Sequence, residues 1–247
     1  LKEVIIAEYD SQKTNIKPTK SKFINTWSAN GYMLEALDNV MLSLNNKDLE
    51  KIKTKLIEPD EGNAPNIRFL ADRGMNVERD SITLDHNGKP FTYTSILIPH
   101  AEIYSLSEFL HYKGNCPTIM YCYRSCDASL TSLDNLRKNN YKPLPNYHVL
   151  ELDDITNDGW DSIGALMTFE NGEKMWCGSV LSVSDVKKLG FKIANPTGVQ
   201  VAGFLYACIN YMFKHPNEGL QESEDIHHKE LFKLADKYMG NMYCKLI

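Results

Sequence analysis

Two Asn-Gly pairs, Asn87-Gly88 and Asn171-Gly172, each stand between β-rich flanks, and they constrain the fold more than any average over the chain. Asparagine and glycine tolerate the positive backbone angles of a two-residue primed turn. The spacing therefore predicts two hairpins, one joining residues 81–84 to 91–94 and the other joining 165–169 to 174–177. The chain also opens on the strand-like Val4-Ile5-Ile6-Ala7 and carries further strand signals at 118–123 and 147–152.

Helical signals lie between and after these strands. Met33, Leu34, Leu37, Val40, Met41 and Leu44 recur at helical spacing, which predicts one helix over residues 29–44 with Ser28 or Asn30 as its cap. Residues 128–138 and 184–189 also favour helices. Asn195-Pro196-Thr197 offers a cap and a first-turn proline to an apolar helix over 199–213, read as buried and ended by His215-Pro216. A last amphipathic helix is expected over residues 225–238, and residues 13–22 and 58–66 read as loops. This order predicts an α+β fold, α/β only in the broad sense: a mixed or antiparallel sheet with helices packed beside it, lacking the regular alternation of a doubly wound nucleotide fold. Residues 1–247 are read as one substrate-binding domain whose C-terminal helical segment begins near 195.

Charge and composition exclude some partners. A formal charge of -5 leaves no basic footprint for nucleic acid. The apolar stretch 199–213, interrupted by Gln200, Gly203, Asn210 and Tyr211, is too short to span a bilayer, so no membrane is expected. With no leader-like start, a cytoplasmic location is the expectation, and disulfides are unexpected there. Cys116, Cys122, Cys126, Cys177, Cys208 and Cys244 are read as buried thiols; without a C-x-x-C pair or an H-E-x-x-H helix, no metal is expected. His227-His228 reads as surface. G-x-G-x-x-G, the P-loop and G-x-S-x-G are all missing from the sequence.

Several ordered blocks carry a resemblance. Glu8-Tyr9-Asp10-Ser11-Gln12-Lys13-Thr14, then Asn25-Thr26-Trp27-Ser28 and Gly31-Tyr32, match the pattern E-x-D-[TS]-Q-x-T followed by N-T-W-S-x-x-G-[FY]. The match continues through residues 105–109, Asp161-Ser162-Ile163-Gly164, Trp176-Cys177-Gly178-Ser179, Asn195-Pro196-Thr197-Gly198-Val199-Gln200-Val201 and Pro216-Asn217-Glu218-Gly219. In this the chain resembles the bacterial homospermidine synthases, of the saccharopine dehydrogenase-like superfamily. It departs from them at residues 36–41, where the family carries a G-W-G-containing stretch, and at Cys177, where the family carries an aromatic residue.

The resemblance implies a transferase that joins two molecules of putrescine into homospermidine through imine intermediates, with loss of ammonia and NAD as recycled hydride carrier. It implies that Trp27 offers its face to a cationic amine, the strongest side-chain platform for such a cation-π contact. Glu8 and Glu35 would bind ammonium ends and accept protons, and His100 and Asp161 would complete the pocket. By residue type alone, Trp27 would be a core aromatic, Glu8 and Glu35 solvated, His100 a loop or satisfied core histidine and Asp161 a turn residue. The resemblance also implies an N-terminal Rossmann domain that holds NAD; since the chain opens on Leu1 and not methionine and runs at once into the strand-like Val4-Ile5-Ile6-Ala7, it is expected to be a portion of a larger protein, inactive alone. The contacts to the cofactor are unassigned, and a homodimer or association with the nucleotide-binding portion is expected. The alternatives are a non-catalytic polyamine-binding or scaffold protein and a related diamine-condensing oxidoreductase.

Overall fold

A computed structural model describes residues 1–53, 55–57 and 66–247. In chain order the elements are β1 (Glu3–Asp10), β2 (Lys22–Asn25), α1 (Ala29–Leu37), β3 (Asn39–Ser43), α2 (Asn46–Leu49), β4 (Leu56–Ile57), β5 (Ile67–Arg73), β6 (Glu78–Leu84), β7 (Pro90–Ile98) and α3 (Glu102–Phe109). They continue with β8 (Thr118–Arg124), α4 (Asp127–Lys138), β9 (Asn146–Val149), β10 (Trp160–Thr168), β11 (Lys174–Ser182), α5 (Val183–Lys188), α6 (Pro196–Lys214), α7 (His228–Met239) and β12 (Asn241–Leu246). The fold is α+β with a mixed sheet. The main sheet runs β12-β11-β10-β1-β8-β3-β5-β4, with β7 also paired to β8 and β6 to β7. Its centre is β1, parallel to β8 and antiparallel to β10. A small parallel pair, β2 with β9, stands apart.

Both expected hairpins form, β6 with β7 and β10 with β11, but with a different turn. In each, only the glycine takes a positive φ, +73° at Gly88 and +89° at Gly172. The backbone bonds Asp85 N to Lys89 O and Phe169 N to Glu173 O close three-residue loops, in which glycine follows a turn that asparagine enters at negative φ. Asn-Gly signals the hairpin in either geometry.

The helix expected over 29–44 is two elements. Ser28 caps α1 by accepting from the Gly31 amide at 3.2 Å, but the helix stops at Leu37, and Asp38 is extended. Val40, Met41 and Leu42 then form β3, with Met41 facing one core and its neighbours the other. An apolar run buried on both sides suits a strand as well as a helix, so spacing alone did not separate them. The strand expected at 147–152 is the shorter β9, followed by a 3-10 turn over Leu152–Asp154, and the last helix starts at His228. The loop expected over 58–66 lies, except for Asn66, outside the described residues.

Two further expectations are corrected. α6 forms where Asn195 caps it, but it is amphipathic in place: Gly203 and Ala207 face inward while Val201, Leu205, Met212 and Phe213 are exposed. Gly203 lies where a Cβ would come 2.4 Å from the Tyr238 Cβ, so its lack of a side chain lets α7 approach closely. Cys177 and Cys244 are not free thiols; they are direct partners across β11 and β12 and form a disulfide, a pairing that only strand register creates. Cys116, Cys122 and Cys126 are buried thiols, and Cys208 is half-buried. No helix among the described residues is long and apolar enough to cross a membrane.

The sheet is covered on both faces near its centre. On one side α1, α3 and α4 enclose a core that includes Tyr32, Met33, Ile98, Tyr121 and Tyr123. On the other the β6–β7 hairpin curls over β1 and β10, where Thr83 and Ser162 share a 2.8 Å hydroxyl bond and Tyr9 meets Phe91 and Tyr93 edge-on.

Candidate functional site

Side chains alternate across a strand, so Val4, Ile6, Glu8 and Asp10 of β1 share one face. Register carries that face to the neighbours. Asp10 stands opposite Asp161 of β10, and Glu8 opposite Tyr123 of β8. Three carboxyl groups therefore gather at the C-terminal end of the central strand on the side covered by α1, and each is shut off from solvent: Glu8 is 4 % exposed, Asp10 3 % and Asp161 1 %.

Their partners differ, and so does their chemistry. Asp10 is the best served: the Thr26 hydroxyl donates to one oxygen at 2.6 Å, and the Gln12 amide N–H and side-chain NH₂ donate to the other at 2.8 and 3.0 Å. Burial still lifts it to about 6 against those bonds. Glu8 accepts one bond, from the Tyr121 hydroxyl at 2.6 Å. Burial outweighs that bond and, with the charge of Asp10, lifts Glu8 to about 7. Asp161 has an oxygen with no partner, and burial beside Glu8 and Asp10 pushes it well above the usual carboxylate range.

A second group approaches from the α1 and α3 side. His100, just before α3, is tied through Nδ1 to Glu102, and its ring lies 4.5 Å from the Tyr121 ring. Burial opposes the charged imidazole, but the Glu102 bond and the charges of Glu102, Glu35 and Glu8 win, so His100 titrates above its ordinary value. Glu35, on α1, is half-buried rather than solvated; burial raises its carboxyl against the pull of His100, and one of its oxygens is enclosed without a partner.

Of the five residues singled out from the sequence, Glu8, Glu35, His100 and Asp161 thus act on one another electrostatically. Trp27 is half-buried, follows Thr26 whose hydroxyl holds Asp10, and contacts no other aromatic ring among the described residues. Sequence reading did not single out Asp10, Gln12, Tyr121, Tyr123 or Thr197. A signal existed for some of them: Glu8-x-Asp10 and Tyr121-x-Tyr123 share the period of a strand. Gln12 and Thr197 stand within the ordered blocks, but their 3.1 Å bond, which joins the end of β1 to the start of α6 across the fold, has no local signal.

The unpartnered buried atoms describe what would fit. On this side they include Asp161 Oδ1, Glu35 Oε2, Gln12 Oε1, Gln200 Oε1 and the Tyr123 hydroxyl, mostly acceptors. Both hydrogens of the Gln12 amide are used, toward Asp10 and Thr197, which leaves its oxygen free to accept. A ligand rich in N–H donors would satisfy these atoms. A pyrophosphate would not, since it needs donors, and the nearby N-terminus of α6 is closed by Asn195 accepting from Gly198 N at 2.8 Å. The described residues of this site do not fit a dinucleotide phosphate, and no group of three or more His, Cys, Asp or Glu among them is disposed to hold a metal ion. A cleft of about 260 Å³ reaches Asp10 and Gln12 past Tyr9, Arg124 and Trp160. A larger hollow of about 700 Å³ lies at the other end of β1, by Lys2, Lys51 and Lys113; it adjoins none of these carboxyl groups.

Comparison with known proteins bears on this geometry. No family model matches the chain. Homospermidine synthase of Mesorhizobium japonicum is 28 % identical over 246 residues, 97 % of this chain and 49 % of that protein. The enzyme of the same name from Blastochloris viridis is 25 % identical over 246 residues, 97 % of this chain and 50 % of its own length. The crystal structure of the homospermidine synthase of Legionella pneumophila in complex with NAD superposes with a TM-score of 0.90 at 28 % identity, over 100 % of this chain and 53 % of that one. The chain spans about half the length of the relatives it matches.

Proposed function

We propose that this chain, a homologue of the homospermidine synthases over about half their length, is the amine-binding and proton-handling part of an NAD-dependent homospermidine synthase. The reaction joins two molecules of putrescine with release of ammonia through imine intermediates. The observation that carries this reading is the set of buried, unpartnered acceptors around Glu8, Asp161 and Glu35: a diamine in its charged form brings only donors and positive charge, which is what such a set lacks. NAD is proposed as the hydride carrier, held by a nucleotide-binding portion outside residues 1–247.

The chain's own residues divide the work in this proposal. Asp10, held by three donors, keeps the end of β1 fixed. Asp161, pushed well above the usual carboxylate range by burial, offers its free oxygen to an amine N–H. Glu8, near 7, is poised to take a proton from an ammonium group, whose ordinary value near 10.4 keeps it from attacking until it is deprotonated. His100 and Glu35 stand beside it as a second proton-exchanging pair, and Trp27 gives the cationic end an aromatic face.

Isothermal titration with putrescine tests the reading. Trp27→Ala is expected to weaken binding about thirtyfold, matching about 2 kcal/mol for a desolvated cation on an indole. Trp27→Phe is expected to weaken it less. Equal affinity in all three proteins would remove the cation platform, and absence of putrescine binding by the unsubstituted protein would remove the amine reading.

A further inference from the structure

We propose that Tyr121 is a positioning residue that holds Glu8 as the proton acceptor of this site and couples it to His100; the proposal rests on the amine-handling reading above. Tyr121 lies on β8, one strand from Glu8, and is 5 % exposed. Its hydroxyl donates to Glu8 Oε2 at 2.6 Å, while its ring lies 4.5 Å from the His100 ring at a tilt of 32°. One side chain thus touches two groups assigned proton-handling roles by different elements.

The surroundings of Glu8 make that contact decisive. Asp10 on the same strand and Glu35 on α1 repel its charge, and Glu8 in turn pushes the Asp161 carboxyl of β10 upward. Tyr123 of β8, Tyr32 of α1 and Tyr93 of β7 are kept protonated by burial and supply no cation. Glu102 faces His100 and is held low by it, against its own burial. Two influences favour the ionised Glu8 carboxylate, the Tyr121 hydrogen bond and the His100 charge, and the hydrogen bond is the larger. A phenol donates more strongly to a carboxylate than to a carboxylic acid, so it selects the basic form. Burial also drives the Tyr121 hydroxyl well above its ordinary value, so it donates and does not serve as a base itself.

The test is the titration of the Glu8 carboxyl carbon, followed by ¹³C NMR in the protein labelled at glutamate δ-carbons, with Glu8→Gln identifying the resonance. In Tyr121→Phe the midpoint is expected to rise by about one pH unit, a tenfold weaker acid. Site-specific Tyr121→3-fluorotyrosine keeps the ring and strengthens the donor, so the midpoint is expected to fall; this second variant decides the matter if the phenylalanine protein does not fold. An unchanged midpoint in either variant overturns the proposal. In the complete enzyme supplied with NAD and putrescine, the acid limb of kcat/KM is expected to move upward with Tyr121→Phe while the alkaline plateau is largely kept. An equal loss at every pH would mean a structural role and would overturn the proposal. If the unsubstituted enzyme turns over no putrescine, the amine reading fails, whereas the carboxyl titration still decides Tyr121.

Discussion

Two clusters in this molecule are built from nearly the same side chains and behave in opposite ways. At the end of β1, Glu8, Asp10 and Asp161 share a closed face with His100 nearby. Where α6 meets α7, His215 lies between Glu218 at 3.0 Å and Glu230 at 3.1 Å, stacked on Tyr211, while Lys214 bonds Glu230 at 2.9 Å. In the second cluster the Lys214 and His215 hydrogen bonds hold Glu230 below its ordinary value. In the first, burial lifts Glu8 to about 7 and pushes Asp161 well above the usual carboxylate range. The lesson is that the residue types do not set the sign of the shift. Access to water and the number of donors per oxygen do, and the buried cluster is short of both.

The sharpest break in the comparison comes from removing the one buried acid whose oxygens are served. Asp10→Ala leaves the Thr26 hydroxyl and two Gln12 N–H groups without an acceptor in a closed site. Stability is expected to fall by about 3 kcal/mol or more, read from urea unfolding. A smaller loss would mean that the site admits water freely, as the surface cluster does.

Next in size is a dependence on pH. Glu8 binds its proton more tightly folded than unfolded, so between about 4.5 and about 7 the native state holds more protons. Its contribution is fully present below the unfolded value and is lost as pH rises through the folded one. Glu8 alone is expected to lower stability by about 3 kcal/mol across that window, at about 1.4 kcal/mol per pH unit. Thermal unfolding should therefore move to lower temperature from pH 4.5 to pH 7, and Glu8→Gln should flatten part of the slope. A midpoint that rises over this range would sink the assignment. The smallest effect is expected at the half-buried second cluster: His215→Ala should change stability by about 0.5 kcal/mol or less, and less still in high salt, because pairs open to solvent are screened.

Much of the framework was legible from local chemistry. The hairpins followed from Asn-Gly, the start of α1 from Ser28, and the start of α6 from Asn195 and Pro196. The errors have a common source. Val40, Met41 and Leu42 carry apolar side chains that serve a doubly buried strand as well as a helix, and the outer face of α6 is as apolar as its inner one, so hydrophobicity alone did not say which side is covered. The Cys177–Cys244 bond likewise depends on which residues of β11 and β12 stand opposite one another.

Within the candidate site the same division holds. The sequence shows a strand-like run from Val4 to Ala7 with Glu8 directly after it, and its ordered blocks single out Glu8, Trp27, Glu35, His100 and Asp161. Tertiary structure extends that strand to Asp10, places Glu8 and Asp10 together on its covered face, sets Asp161 against Asp10 by antiparallel register, and brings the Tyr121 hydroxyl of the parallel neighbour to Glu8. Periodicity tells which side chains travel together along a strand. It does not tell what lies over them, and what lies over them fixes their desolvation and hydrogen bonding, and through these whether a glutamate at neutral pH holds a proton or gives it up.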